Sequence, residues 1–514
     1  MSSSPAVEAV GEKEAREAIV EVQGDAPFSG SAAAAAPLDP FSRTSFQLYA
    51  ILLVAALNAT ASGFDGSIFS SINAMAQYQD YFNHKELGSA TGLIFMIFTV
   101  GSMVGSLFSG PVCDNFGRRI GMAAGSVLIM TGAAVQTAAR GNASLLAGRF
   151  VLGFGVAIGT SSAPTYALEL APPQWRARIV GYYNTFFYSG SILATGVAYA
   201  SSRSTGEIAF RLPLSLQLVF PLFILIGTAF IPESPRWLTM WGRKDEAGRI
   251  LAKYHGGGNA NHPLVLLELR EFEANIELQK SSSVWNYWSL VETHNARWRF
   301  TMMAFMSIFA QLSGNSVLTY YLPSMYRQVG ITTTERRLLL TFINSIVSCI
   351  GAIAGSATND RMGRRSKLWI GSFVLAGLLG AVTGFSSQFG DASKKVGIFL
   401  FGFAYSYVYT PLTSTYCGEV LANPTRAKGM GVHVLLGNMA NLYNAYVTAI
   451  AFEAIGWRYY LVFVGLNILY GVLWYVFGVE TRGRTLEEMD AVFDAKFPPR
   501  AALQKPTALQ VKGS

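Results

Sequence analysis

From Phe46 onwards the chain alternates long apolar runs with short polar ones. A membrane-spanning helix needs about 20 mainly apolar residues, and twelve runs meet that requirement. Six lie near 46–69, 88–109, 120–139, 145–168, 179–200 and 212–231, and six more near 301–325, 338–358, 368–386, 396–416, 431–453 and 459–478. Between the two sets, 232–298 is rich in charge and contains Gly256, Gly257 and Gly258. Its stretches 245–254 and 264–278 carry apolar residues at helical spacing with polar faces, which predicts short amphipathic helices. The pattern therefore predicts an all-α polytopic membrane protein with twelve transmembrane helices in two six-helix bundles. Its expected divisions are an N-terminal tail 1–45, a first bundle 46–231, a linker 232–298, a second bundle 299–480 and a C-terminal tail 481–514.

Composition agrees with that pattern. Charged residues make up 14% of the chain and hydrophobic residues 51%, whereas soluble domains carry roughly 25% charged residues. The 51 glycines suit helices that must approach closely in lipid. A net charge of +8 raises the possibility of nucleic acid, but the cations sit mainly in short segments between apolar runs. Arg118 and Arg119 follow the second run, and Arg361, Arg364, Arg365 and Lys367 follow the eighth. With both termini cytoplasmic, most of the 39 basic residues fall on the inside, the bias of a multi-pass membrane protein. Residues 1–42, rich in Ala, Ser, Glu and Gly, are expected to form a disordered cytoplasmic tail. Cys113, Cys349 and Cys417 are too scattered for a disulfide framework or a zinc site. His84, His255, His262, His294 and His433 are expected to be solvated or locally bonded. No metal, cofactor or catalytic constellation is expected, so an enzyme is not the reading.

Two motifs recur six helices apart. Asp114-x-x-Gly117-Arg118-Arg119 follows helix two, and Asp360-x-x-Gly363-Arg364-Arg365 follows helix eight. Tyr166-x-x-Glu169 with Arg176 ends helix four, and Tyr416-x-x-Glu419 with Arg426 ends helix ten. Two independent motifs in register mark a duplicated six-helix unit, which suggests a binding site between the halves near the midplane. Carboxylates and guanidiniums at helix ends form charge-assisted hydrogen bonds. Asp114, Arg118, Glu169 and Arg176 in one half, and Asp360, Arg364, Glu419 and Arg426 in the other, are therefore expected to latch helix ends on the cytoplasmic side. Glu233, Arg236 and Glu480 extend the latches to linker and tail.

These residues, with Pro164-x-Tyr166, the run Pro232-Glu233-Ser234-Pro235-Arg236, Gln311-x-x-Gly314 before Tyr320-Tyr321, and the closing Glu480-Thr481-Arg482-Gly483-Arg484, resemble the sugar porter family of the major facilitator superfamily over about residues 45–495. The run Gly63-Phe64-Asp65-Gly66-Ser67 followed by Ser71-Ile72-Asn73 looks most like the fungal lactose and cellodextrin permease branch. The resemblance implies a major facilitator fold and a secondary transporter of neutral mono- or disaccharides. Such a protein is driven by proton symport through alternating access, and is expected to act as a monomer in the plasma membrane. A facilitative uniporter and a non-transporting nutrient sensor of the same fold are the alternatives.

An acid inside a spanning helix is a functional candidate whose partner must be named. Asp65, in the first helix, is expected to carry the coupling proton, with Arg149 as its partner. A carboxyl that gains and loses such a partner can take a proton on one side and release it on the other. Sugars need groups that both donate and accept hydrogen bonds. By resemblance, Asn184, Gln311 and Tyr320 are expected at the sugar site, with Asn344 and Asn441 adding amides. Three departures stand out. The family's asparagine after Gly314 falls one position early, as Asn315, leaving Ser316 in its place. Ser414 and Asn438 replace two tryptophans. The cavity should be wider and more polar as a result.

Overall fold

The computed structural model describes residues 41–172, 183–281, 287–328, 330–359, 361–388, 391–422, 425–484 and 486–504. Regular structure among them is entirely helical. In the first half, α1 spans Arg43–Asn73, α2 Ser89–Phe116, α3 Arg118–Thr137, α4 Asn142–Leu170 and α5 Phe186–Ser201, and α6 comes in two pieces, Ile208–Leu216 and Val219–Phe230. In the second half, α7 comes in two pieces, α7a (His294–Leu312) and α7b (Asn315–Gln328). After it come α8 (Thr334–Thr358), α9 (Arg364–Gln388), α10 in two pieces (Asp391–Val408 and Leu412–Val420), α11 (Arg426–Ile455) and α12 (Tyr459–Phe477). The twelve spans form two six-helix bundles.

Nine segments of the described chain are long and apolar enough to cross a bilayer, one of which, Lys428–Phe477, holds both α11 and α12. The two spans outside that set are α5 and α7, which both lie on the seam between the bundles. α5 has 16 residues. α7 is interrupted at Ser313–Gly314 and carries Gln, Asn and Tyr among its apolar residues.

The polar pattern placed α7 near 301–325, but it begins seven residues earlier, at His294. Thr293 caps it, its hydroxyl accepting the Ala296 N–H at 3.1 Å. A short helix, Ala76–Phe82, follows α1 where a plain loop was expected. Its Tyr78 and Phe82 are buried against Phe210, and Tyr78 also meets Phe69 edge-on. The linker carries helices Pro235–Met240, Lys244–Tyr254 and Pro263–Ser281. The tail helix Leu486–Asp494 docks on α7a through Arg299 and Asp490, 2.5 Å apart.

Bundle packing rests on small residues. α1 packs on α5, α2 and α3 on α4, α8 on α10, and α9 on α12. A Cβ at Gly63 would collide with the Phe187 carbonyl, and one at Gly190 with the Thr60 carbonyl. The α1–α5 pair thus meets backbone to backbone, the arrangement van der Waals packing favours when lipid supplies no hydrophobic drive between helices. The halves meet along α2–α11, α5–α8 and α1–α7b.

Gly63→Ala is expected to destabilise the first bundle by about 1–3 kcal/mol, the usual cost of overpacking. A lowered melting temperature in detergent checks this, with Gly377→Ala as control, because a Cβ there has nothing within 4 Å.

Candidate functional site

One face of the molecule carries the duplicated charged motifs. In the first half, Arg118 reaches Glu169 through Nε at 3.0 Å and Nη2 at 3.2 Å, and Asp114 through Nη1 at 3.3 Å. Arg118 and Glu169 are buried, and Asp114 is exposed. Glu233 Oε1 accepts the backbone N–H of Arg118 at 3.1 Å and of Arg119 at 3.2 Å, so the carboxylate caps the N-terminus of α3. Burial pushes the Glu233 carboxyl up from its ordinary range, while the backbone N–H groups of Ser234, Arg119 and Arg118 pull it down. Ser234 donates its hydroxyl to Glu169 Oε2, the oxygen that Arg118 Nε also reaches, and Tyr166 OH donates to the Pro232 carbonyl at 2.8 Å.

The second half repeats this arrangement with the corresponding residues. Arg364 donates to Glu419 at 3.0 Å, Glu480 accepts the N–H groups of Arg364 and Arg365 at 2.7 and 3.1 Å, and Thr481 donates to Glu419 at 2.5 Å. Tyr416 OH donates to the Val479 carbonyl at 3.0 Å. The expected latch residues Asp114, Arg118, Glu169, Glu233, Arg364, Glu419 and Glu480 are thus brought together, half by half. Arg426 instead turns to the Leu421 carbonyl at 3.2 Å. Arg236 forms no ion pair among the described residues. Arg176 and Asp360 lie outside the described residues.

The polar cluster of the second half grows from the interruption of α7. Gly314 has φ +103°, and the break frees carbonyls that the helix would otherwise satisfy. Each of three is met by a side chain from a different helix. Tyr405 OH of α10 donates to Ala310 O at 3.0 Å, Asn444 of α11 to Gln311 O at 2.8 Å, and Asn467 of α12 to Ser313 O at 2.9 Å. Beside them, Asn441 donates to Tyr320 OH at 3.0 Å and accepts from Ser316 at 3.3 Å. The buried Ser316, rather than the half-buried Asn315, joins this network. The Gln311 and Asn438 side chains are half-buried and make no hydrogen bond among the described residues. Tyr320 crosses the seam to lie against Phe95 of α2, ring centroids 5.1 Å apart. Asn344 and Asn184 make no hydrogen bond with this cluster. Asn344 is buried against Gly402 of α10, and Asn184 sits half-buried just before α5.

Asp65 is buried in the first bundle and makes no direct hydrogen bond or ion pair with Arg149, although the two still interact electrostatically. Oδ1 accepts from Gln217 Nε2 at 3.0 Å, and Oδ2 has no partner. Gln217 stands where α6 breaks between its two pieces. Arg149 stacks instead on two rings, with its guanidinium carbon 4.1 Å from the Phe69 centroid and 4.9 Å from that of Phe98. Its Nε reaches the Ile94 carbonyl at 3.4 Å. The two rings offer the dry guanidinium cation–π contacts in place of a carboxylate, while its Nη1 is buried without a hydrogen-bond partner among the described residues.

Gln217, Asn444, Asn467 and Tyr405 went unnoticed in the sequence. Asn444 had a signal, lying one turn from Asn441, and the others had none. Two histidines expected to be solvated or local are buried in hydrogen bonds. His255 bridges Glu268 and the Leu170 carbonyl, and His433 meets Ser307 Oγ at 2.6 Å.

Twin bundles, a duplicated set of helix-end ion pairs and a polar cluster at a broken helix on the seam define a multi-pass membrane transporter of the major facilitator class. The family model for sugar (and other) transporters matches residues 51–493, and the chain belongs to that family. It is 27% identical over 477 residues to a high-affinity glucose transporter of Kluyveromyces lactis, covering 88% of this chain and 86% of the relative. It is 26% identical over 482 residues to a quinate permease of Neurospora terricola, covering 88% of this chain and 90% of the relative. The proton:xylose symporter XylE, solved with bound 6-bromo-6-deoxy-D-glucose, superposes with a TM-score of 0.70 at 22% identity, covering 88% of this chain and all of that one.

Gly117 combines φ +99° with a Cβ direction that runs into Glu233, while Gly363, its counterpart, meets only the equivalent obstruction from Glu480. Gly117→Ala is therefore expected to lower the melting temperature more than Gly363→Ala, the added backbone strain costing about 1–3 kcal/mol. A thermal-shift comparison in one detergent checks the order.

Proposed function

We propose that this protein is a proton-coupled sugar symporter that moves a neutral mono- or disaccharide by alternating access. In this reading it acts as a monomer in the plasma membrane, with both termini and the latch face cytoplasmic. The observation that carries the coupling is the state of Asp65, an acid enclosed in a spanning helix with one oxygen held by a neutral amide and the other unpartnered. An intramembrane acid is costly to keep, and Gln217 holds this one without neutralising it. Arg149, held by rings and a carbonyl rather than a carboxylate, is the cation Asp65 would meet in another state of the cycle. The proton sits on Asp65 while the sugar site is exposed outside and leaves when the site faces in.

The sugar is held at the α7 break. Gln311, Asn438 and Asn441 offer amides, Tyr320 a hydroxyl and a ring, and Ser316 a hydroxyl, a donor–acceptor mixture that matches sugar hydroxyls. Asn444 and Asn467 act on the backbone of α7 instead. The glucose transporter among the relatives supports a sugar cargo. The quinate permease marks the acid alternative, against which stands the position of Arg149, in the first bundle rather than beside the amides. The latches hold each half's helix ends and release when the bundles rock.

Asp65→Asn is expected to abolish uphill accumulation while leaving exchange of labelled for unlabelled sugar. Undiminished accumulation under a proton gradient would sink the proton role. Asn441→Ala should raise KM about five- to tenfold with little change in melting temperature, the size of one lost hydrogen bond. Asn467→Ala should do the reverse, lowering the melting temperature and sparing KM.

A further inference from the structure

The latches on one face stay within their own halves, as the pairs above show. On the opposite face, besides the local Arg211–Glu207 pair at 2.8 Å, ion pairs cross between halves. Glu86, in the segment between the short helix and α2, is 4% exposed and accepts at both oxygens. Arg337 of α8 donates to Oε1 at 2.7 Å, Arg327 of α7b to Oε2 at 2.8 Å, and the Ser324 hydroxyl to Oε1 at 2.8 Å. Asn73, at the end of α1, holds the Glu86 carbonyl at 2.9 Å. A second pair on this face, Arg203–Glu335 at 2.7 Å, also joins the halves but is exposed. The two are unlike in weight. An exposed pair contributes little, whereas removing one member of a buried pair strands the other charge at a cost of about 3–5 kcal/mol.

The donors on Glu86 differ in what carries them. Arg337 rises from the first turn of the continuous helix α8. Ser324 and Arg327 ride on α7b, beyond both the Gly314 break and Tyr321, whose φ −128° and ψ 16° interrupt the helix just before Pro323. Tyr320, which Asn441 holds, lies between those two points, on the short turn that leads from the Gly314 break to Tyr321. A segment joined to the bundle through two non-helical points can swing as a unit, and closing it brings its donors to a carboxylate already fixed by α8 and α1.

We propose that Glu86 is the anchor of an outer gate. Its bond to Arg337 clamps the two halves on this face, and its bonds to Ser324 and Arg327 receive α7b as that segment closes over the sugar. Glu86 thereby acts as a positioning residue that sets the balance between outward-open and outward-closed forms without touching the cargo. The orientation of this face rests on the proposed function; the gate itself does not.

The test uses the full-length transporter in intact cells with Cys349→Ala and a reporter, Ser345→Cys. Ser345 is buried on the seam, with the hydroxyls of Ser191 and Thr195 at 3.3 and 3.4 Å. Thr205→Cys, in the exposed loop of the same face, reads its orientation with a membrane-impermeant maleimide. If Thr205→Cys labels only in inverted vesicles, the orientation is wrong and the assay is run there. Glu86→Gln and Arg337→Gln are each expected to speed labelling of the reporter by about tenfold, a shift well within the effect of losing a buried pair. Arg327→Gln, which leaves Arg337 in place, should do less. A reporter unmoved in a folded Glu86→Gln protein overturns the proposal. Should that variant fail to fold, Glu86→Cys with Arg337→Cys bridged by a short, cleavable thiol cross-linker decides the matter. Transport should stop on bridging and return on cleavage, and continued transport through the bridged protein overturns the gate.

Discussion

Within a bilayer, every backbone N–H and C=O must find a partner inside the protein. Most of this chain obeys by being helical, and the informative places are those where it is not. The break in α7 frees the carbonyls of Ala310, Gln311 and Ser313, and Tyr405, Asn444 and Asn467 close on them from three helices. Those side chains are set by the cost of an orphaned carbonyl in a dry interior, several kcal/mol by transfer scales. What lies next to them is freer. Gln311 and Asn438 keep their amides half-buried and unengaged, and Ser316 and Asn441 bond to each other and to Tyr320. A cluster of polar side chains is thus gathered as a consequence of breaking a helix, and the same break makes α7b a separate piece.

The two faces use charge differently. On the latch face the carboxylates bind helix ends within a half. Glu233 and Glu480 cap α3 and α9 through paired backbone N–H groups, where the helix dipole adds to the hydrogen bonds. Because Glu169 and Glu419 sit at the ends of α4 and α10, each cap is tied to a second helix through one arginine. On the opposite face Glu86 and Glu335 join half to half. In the conformation described, the bundles are therefore tied together by charge on the side of Glu86.

Much of this was legible in the chain. Hydropathy located the spans because lipid demands length and apolarity of each, and the repeated motifs predicted two equivalent latches because their residues lie close in sequence to the helix ends they bind. What escaped notice was non-local. For Asp65, charge and the family resemblance both point to Arg149 as the partner. Gln217 wins because it stands at a break in α6 that no glycine marks, while Phe69 and Phe98 take the arginine. Asn315 was read with Ser316 as a pair, and only the turn at Gly314 decides that the serine faces α11. Glu86 was passed over because a loop acid has no periodicity, and its arginines lie more than two hundred residues away.

The proposed division of labour, proton in the first bundle and sugar in the second, needs a physical route between them. Packed rings supply one. Arg149 lies on Phe69, Phe69 stands edge-on to Phe95 at 5.7 Å, and Phe95 crosses the seam to Tyr320 at 5.1 Å. Tyr320 is in turn the residue Asn441 holds. Contiguity alone is not coupling; the physical warrant is an element with two arrangements that both sites bias. In the proposed cycle Arg149 would take two such arrangements, on the rings and on Asp65, and α7b would take two about its break. A guanidinium that leaves Phe69 for the carboxylate alters the surface on which Phe95 and then Tyr320 rest, and a sugar that draws Tyr320 aside acts on the same stack from the other end. The favourable energy of a ring pair, about 0.5–1.5 kcal/mol, is commensurate with coupling energies of about 1–3 kcal/mol, so two or three such contacts are of the size that the proposed coupling requires.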